Sequence, residues 1–106
     1  MDVVTPPVPL RLTSRYTTAT LANGAVMNIL GDPRRLCILF GVSTTTVAPT
    51  LGAGDTVTGG FGMTMALTGY TEFVWQRHGD LVKGFFKVTS LLNGTSVSCF
   101  ELLNIG

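Results

Sequence analysis

The chain's single histidine lies between an arginine and an aspartate, in Arg77-His78-Gly79-Asp80. An imidazole beside a carboxylate is half of a general-base pair. Asp80 could orient His78, and His78 could take a proton from a nucleophile within hydrogen-bond reach. No serine or cysteine stands close in sequence to complete the set. Tyr70–Gln76 and Leu81–Thr89 are strand-like on either side, and Gly79-Asp80 has the backbone-capping chemistry of a turn. The stretch is therefore expected to be a solvated turn at a hairpin tip and not a catalytic centre.

Other chemistry is equally hard to assemble. Glycoside hydrolysis needs two facing carboxylates, and Asp2, Asp32, Asp55, Glu72, Asp80 and Glu101 are isolated from one another. One histidine with two distant cysteines, Cys37 and Cys99, makes no tetrahedral zinc site. "GAGDTVTGGFG", residues 52–62, is glycine-rich but lacks the G-K-[ST] of a phosphate loop. Trp75, Tyr70 and Phe73 could form a sugar-stacking platform, but Phe73 and Trp75 alternate onto one strand face, where core packing is the stronger expectation. An exposed Trp75 flanked by polar groups would favour a carbohydrate-binding role, and a buried one would remove it. No catalytic residue, metal or cofactor is expected.

The elements that would carry any site are β-strands. Within 106 residues, only 12% are charged, about half the usual share, while 45% are apolar. Threonine, serine and glycine supply the missing polarity, which suits either an oxidation-tolerant exterior or burial against other subunits. The arginines and lysines are scattered, so the concentrated phosphate-neutralising patch of a nucleic-acid binder is missing. No apolar run approaches the ~20 residues of a membrane-spanning helix. The start, "MDVVTPPVPL", has an acid and three prolines where a signal peptide needs positive charge and an apolar helix. Assembly in a reducing cytoplasm with both thiols free is the corresponding expectation.

Residues 1–9 read as an extended proline-rich arm and residues 10–106 as a single β domain. Composition leaves open whether the arm is a free tail or orders on a neighbour. If it docks, Val3, Val4, Pro6, Pro7, Val8, Pro9 and Leu10 are the contact residues. "LRLTSRYTTATL" holds one or two strands, and Asn23-Gly24 supplies a turn. Ala25, Met27 and Ile29 share a face, and Gly31-Asp32-Pro33 stops that strand. "RLCILF" is apolar on both faces, as a central strand should be. "STTTVAPT" is a β stretch limited by Pro49, and residues 52–62 are loop. Met63, Met65 and Leu67 alternate with Thr64, Ala66 and Thr68. Val82, Gly84, Phe86 and Val88 share a face of the next strand, and Asn93-Gly94 signals a hairpin into "SVSCFELL". No helix is indicated. About seven to nine short, mostly antiparallel strands imply an all-β sandwich or small barrel.

Two stretches carry a resemblance. "GDPRRLCILFG" and "HGDLVKGFFKVTSLLNGTSVSCFELL" resemble segments of small β-sandwich structural proteins of tailed-bacteriophage virions. The resemblance implies a non-enzymatic virion protein, first of all a capsid decoration (cement) protein. Such a protein would form a small homo-oligomer and bind the major capsid protein or another virion protein through the arm and loops. Tail, collar or fibre-base components are the alternative within the same class, and a carbohydrate-binding module is the alternative outside it. The implied location is the virion, assembled in the host cytoplasm, with no nucleic-acid or membrane partner.

Overall fold

The structure, a computed structural model, describes residues 11–44, 46–53, 62–65 and 67–106. Among the described residues, eight strands form two four-stranded antiparallel sheets. They are β1 (Leu12–Leu21), β2 (Val26–Ile29), β3 (Arg35–Ser43), β4 (Thr50–Ala53), β5 (Gly62–Thr64), β6 (Thr68–Val74), β7 (Phe86–Thr89) and β8 (Thr95–Asn104). Sheet A has the order β1-β8-β3-β6, and sheet B the order β2-β7-β4-β5. Strand pairs β4–β5, β3–β6, β2–β7 and β1–β8 are nested, as in one long antiparallel hairpin. Rolling that ribbon on itself adds the contacts β3–β8 and β4–β7. The result is a jelly roll, and the expected all-β sandwich is what the chain forms.

Period-two patterning places the core between the sheets. Ile38, Phe40 and Val42 of β3 join Val97 and Cys99 of β8 on the inner side, and Met27, Ile29, Leu51, Phe86 and Val88 close over them from sheet B. Phe86 is fully buried against Phe40 and Phe73, with ring centroids 5.4 and 5.3 Å apart. Each such aromatic stabilises the fold by roughly 2–3 kcal/mol through burial alone.

Where the ribbon passes from one sheet to the other, both of its chains must turn together. At the crossing from β1 and β8 to β2 and β7, the two Asn-Gly pairs supply these turns. Gly24 and Gly94 both sit at φ +83°, a conformation that side chains disfavour. The corners lie side by side, with the Asn23 amide donating to Asn93 Oδ1 at 2.8 Å and the Gly94 amide to the Leu21 carbonyl at 3.0 Å. Asn93-Gly94 is thus a turn, as its chemistry demands, but it joins strands of different sheets and not a hairpin.

Three other expectations change. The stretch before Pro49 is not a strand: pairing begins at Thr50, just after the proline, and takes in Gly52 and Ala53. Residues 63–68 are not one strand, because β5 ends at Thr64 in sheet B and β6 begins at Thr68 in sheet A. Met65 is accordingly buried while Leu67 is exposed. Residues 75–83 are helical: a four-residue helix α1 (Trp75–His78) runs into a 3-10 turn (Gly79–Lys83). That segment bridges the two sheets and drops Val82 into the core. Val82, Phe86 and Val88 do share a buried side, although only the last two do so from a strand.

Candidate assembly site

The arm residues expected to make contacts, Val3 to Leu10, lie outside the described residues, as do residues 54–61 of the glycine-rich loop. The chain is first described at Arg11, and β1 is the first described strand after the residues expected to form the arm.

β1 is a ten-residue strand at the edge of sheet A, paired with β8 through ten consecutive partners without a bulge. The Ile105 amide donates to the Arg11 carbonyl at 2.7 Å. In the register Leu12↔Asn104, the backbone groups of odd-numbered residues therefore point to β8. Those of Leu12, Ser14, Tyr16, Thr18 and Thr20 point away from the sheet. Proteins protect such edges with short strands, prolines, bulges or charges. The other three edges follow this practice: β2 has four residues and β5 three, while β6 carries Glu72, bends at Gly69 (φ +146°) and runs into α1. β1 has no proline and one charged residue, Arg15.

Arg15 is turned inward, where it ties the edge strand to the core. Its Nε and Nη2 donate to the two oxygens of Glu101 at 2.9 and 2.8 Å. Glu101 is 1% exposed on β8 and also receives Arg35, which is fully buried. Arg35 Nε donates to Glu101 Oε2 at 2.8 Å, Nη1 to the carbonyls of Val82 (3.1 Å) and Gly84 (2.8 Å), and Nη2 to that of Leu30. Nη2 also lies 2.7 Å from Glu101 Oε2. All three guanidinium nitrogens of Arg35 are thereby engaged, as a buried charge requires. Asp32 extends the cluster, accepting from Arg34 at 3.1 and 2.9 Å and from Arg15 at 3.4 Å.

Burial opposes the charge on Glu101, but the hydrogen bonds from Arg15 and Arg35 outweigh it and hold its carboxyl below the usual range. The side-chain bond from Arg34 holds Asp32 well below its usual value, and the bond to Glu101 raises Arg15. The cluster pins β1, β8, the β2–β3 loop and the 3-10 turn at one point. Along the sequence these acids look isolated and these arginines scattered. The signal available is Arg35 opening an otherwise apolar strand and Glu101 on the inner face of the last one.

The outer face of sheet A continues from the β1 edge. One row across the sheet is Tyr16, Phe100, Leu39 and Glu72, and the next is Ser14, Leu102, Cys37 and Val74. Tyr16 is 66% exposed and Tyr70 74%. Glu72 is the one charged residue that the register places on this face. The outer face of sheet B is polar by comparison, with Asn28, Lys87, Thr89 and Thr50 in register.

The aromatic platform does not form. Phe73 is buried, Tyr70 projects from the outer face, and Trp75 starts α1, so the strand alternation ends before it. Trp75 is 48% exposed with Lys83 Nζ 5.8 Å from its ring centre, which corrects the expectation of core packing. His78 is not a solvated turn residue either. It is half-buried, accepts from the Val74 amide at Nδ1 (3.0 Å) and meets Phe73 edge-on at 5.1 Å. Among the described residues, no hydrogen bond joins it to Asp80. The thiols are free, and their faces explain why: Cys99 is buried on the inner side of sheet A, whereas Cys37 is on the outer side. Burial pushes Cys99 up to about 12 and raises Cys37 too.

No protein family matches the sequence, and no curated protein matches it. The fold is similar to that of a chain from Bacillus endospore appendages, described as a novel family of disulfide-linked pili. The two share 10% identity at a TM-score of 0.54, over 100% of this chain and 99% of that one. At that identity the likeness is one of fold.

Proposed function

We propose that this chain is a non-enzymatic structural subunit that assembles with copies of itself or with another assembly protein by strand addition at β1. The observation that carries this reading is the edge itself: ten residues long, free of bulges, almost uncharged and without a second strand partner among the described residues, while the other three edges are short, bent or charged. The residues expected to form the arm directly precede that strand in the sequence. The backbone engagement of His78 supports a structural role for the one imidazole. The fold shared with an appendage protein supports a part in an ordered assembly.

Within that class, the sequence resemblance favours a capsid decoration protein, with Val3 to Leu10 and the loops binding the phage head. A tail, collar or fibre-base component is the alternative, and a pilus-type subunit is the reading the fold comparison supports. With so few charges, attachment runs on apolar burial and backbone hydrogen bonds and weakens little with salt. Sedimentation of the full chain and of a chain lacking residues 1–9, each at low and high salt, tests this. The full chain is expected to associate at both salt concentrations and the truncated one to stay folded but associate less. A full chain that is monomeric at high protein concentration would remove the self-assembly reading.

A further inference from the structure

The outer face of sheet A holds a second feature, which borders the β1 edge along Tyr16, Thr18 and Thr20. An open depression of about 810 Å³ lies on it, with Tyr16 and Tyr70 among its lining residues. The polar side chains lining it are hydroxyls, contributed by all four strands: Thr18 and Thr20, Ser96 and Ser98, Ser43, and Thr68. None of its described lining residues is charged. A Cβ at Gly41 would lie 2.6 Å from Ser98 Oγ, so the floor is low because residue 41 has no side chain.

We propose that this depression binds a neutral glycan. Serine and threonine hydroxyls both donate and accept, which matches the hydroxyls of a sugar ring without demanding charge. The two exposed tyrosines add flat apolar faces with a polar tip, suited to the C–H side of a pyranose. The volume falls within the range of small-ligand sites, roughly 300–1,000 Å³. A phosphorylated or acidic ligand would find no cation here. An extended peptide would leave its backbone unpaired, because the backbone groups of β3 and β8 are already bonded within the sheet. Peptides therefore fit the edge, and sugars fit the face. Trp75 is not among the lining residues, so the sugar contact belongs to Tyr16 and Tyr70 and not to the lone tryptophan.

The test is isothermal titration of the full chain with cellohexaose, maltohexaose and mannohexaose, with hexagalacturonate as the charged control and a peptide of residues 1–10 as competitor. At least one neutral hexasaccharide is expected to bind. Tyr16→Ala and Tyr70→Ala are each expected to weaken it about tenfold, and Trp75→Ala to leave it unchanged. Both tyrosines are exposed, so these variants keep the fold, which circular dichroism verifies; Tyr16 lies on β1, so sedimentation of each variant separates loss of sugar binding from loss of assembly. Absence of neutral-sugar binding, binding indifferent to both tyrosines, equal binding of hexagalacturonate, or displacement by the peptide would each overturn the proposal. Tyr70 lies on β6, at the opposite edge of sheet A, so Tyr70→Ala reads the sugar site without touching β1, and assembly is read separately as oligomeric state.

Discussion

Removing Glu101 tests whether the buried charge cluster holds the sandwich together. Glu101→Ala deletes both carboxylate bonds to Arg35 and the two-pronged contact with Arg15. Arg15 is nearly half exposed, so water replaces most of what it loses, and its share is about 1 kcal/mol or less. Arg35 is fully buried and keeps only three backbone carbonyls. A buried charge stripped of its counter-ion costs about 3–5 kcal/mol, a large part of the roughly 5–15 kcal/mol available to a domain. Arg15→Ala should therefore cost about 1 kcal/mol and Glu101→Ala several times more. Arg35→Met/Glu101→Leu, which removes both charges, should recover most of the loss. Urea unfolding of the variants measures each value. If Glu101→Ala and Arg15→Ala proved equally mild, the claim that Arg35 depends on Glu101 would be refuted.

Acid should act on the same cluster. Glu101 and Asp32 are held below their ordinary values of 4.5 and 3.8, so the unfolded chain binds more protons; their contribution is present above those values and fades as pH falls below them. A melting temperature flat from neutral pH to about 5 and falling below about 4.5, with a shallower fall in Glu101→Gln/Asp32→Asn, is expected. Phe86→Ala should cost about 3–5 kcal/mol in denaturant melts, and His78→Ala about 1 kcal/mol, for the bond it takes from Val74; equal costs would contradict the burial argument. Both cysteines should alkylate in denaturant without reductant, and in the native protein Cys37 should react well before Cys99, as intact-mass analysis can follow. A protein that resists alkylation in denaturant would contain the disulfide that the opposite faces of sheet A forbid.

Much of the fold is legible in the sequence because its signals are local. Alternation in Ala25-Met27-Ile29, the doubly apolar Arg35–Phe40 run and the two Asn-Gly turns all fall where expected. What misleads is geometry that no window contains. The ribbon changes sheet at Asn93-Gly94, so a turn that reads as a hairpin is a corner. The Met63–Thr68 alternation is cut by another crossing between sheets, from β5 to β6. Residues 75–83 read as two strand ends around a turn at Arg77–Asp80, yet the span between β6 and β7 is filled by a short helix and a 3-10 turn that lower Val82 into the core. The charge cluster is hidden for a related reason. Arg15, Asp32, Arg35 and Glu101 are up to 86 residues apart in the chain, and only the nesting of β1 against β8 and β8 against β3 brings them together. That β1 stands at an edge among the described residues likewise comes from strand order, which the sequence does not spell out.

The central claim is that β1 is an assembly edge, and a proline at Ser14 addresses it most directly. The Ser14 amide points away from β8, so a proline there leaves the internal ladder intact while removing one outward donor and adding bulk to the edge. Light scattering coupled to size-exclusion chromatography should find the unaltered chain associated and Ser14→Pro shifted to monomer, with matching circular dichroism. Unchanged association of a well-folded Ser14→Pro would contradict assembly through this strand.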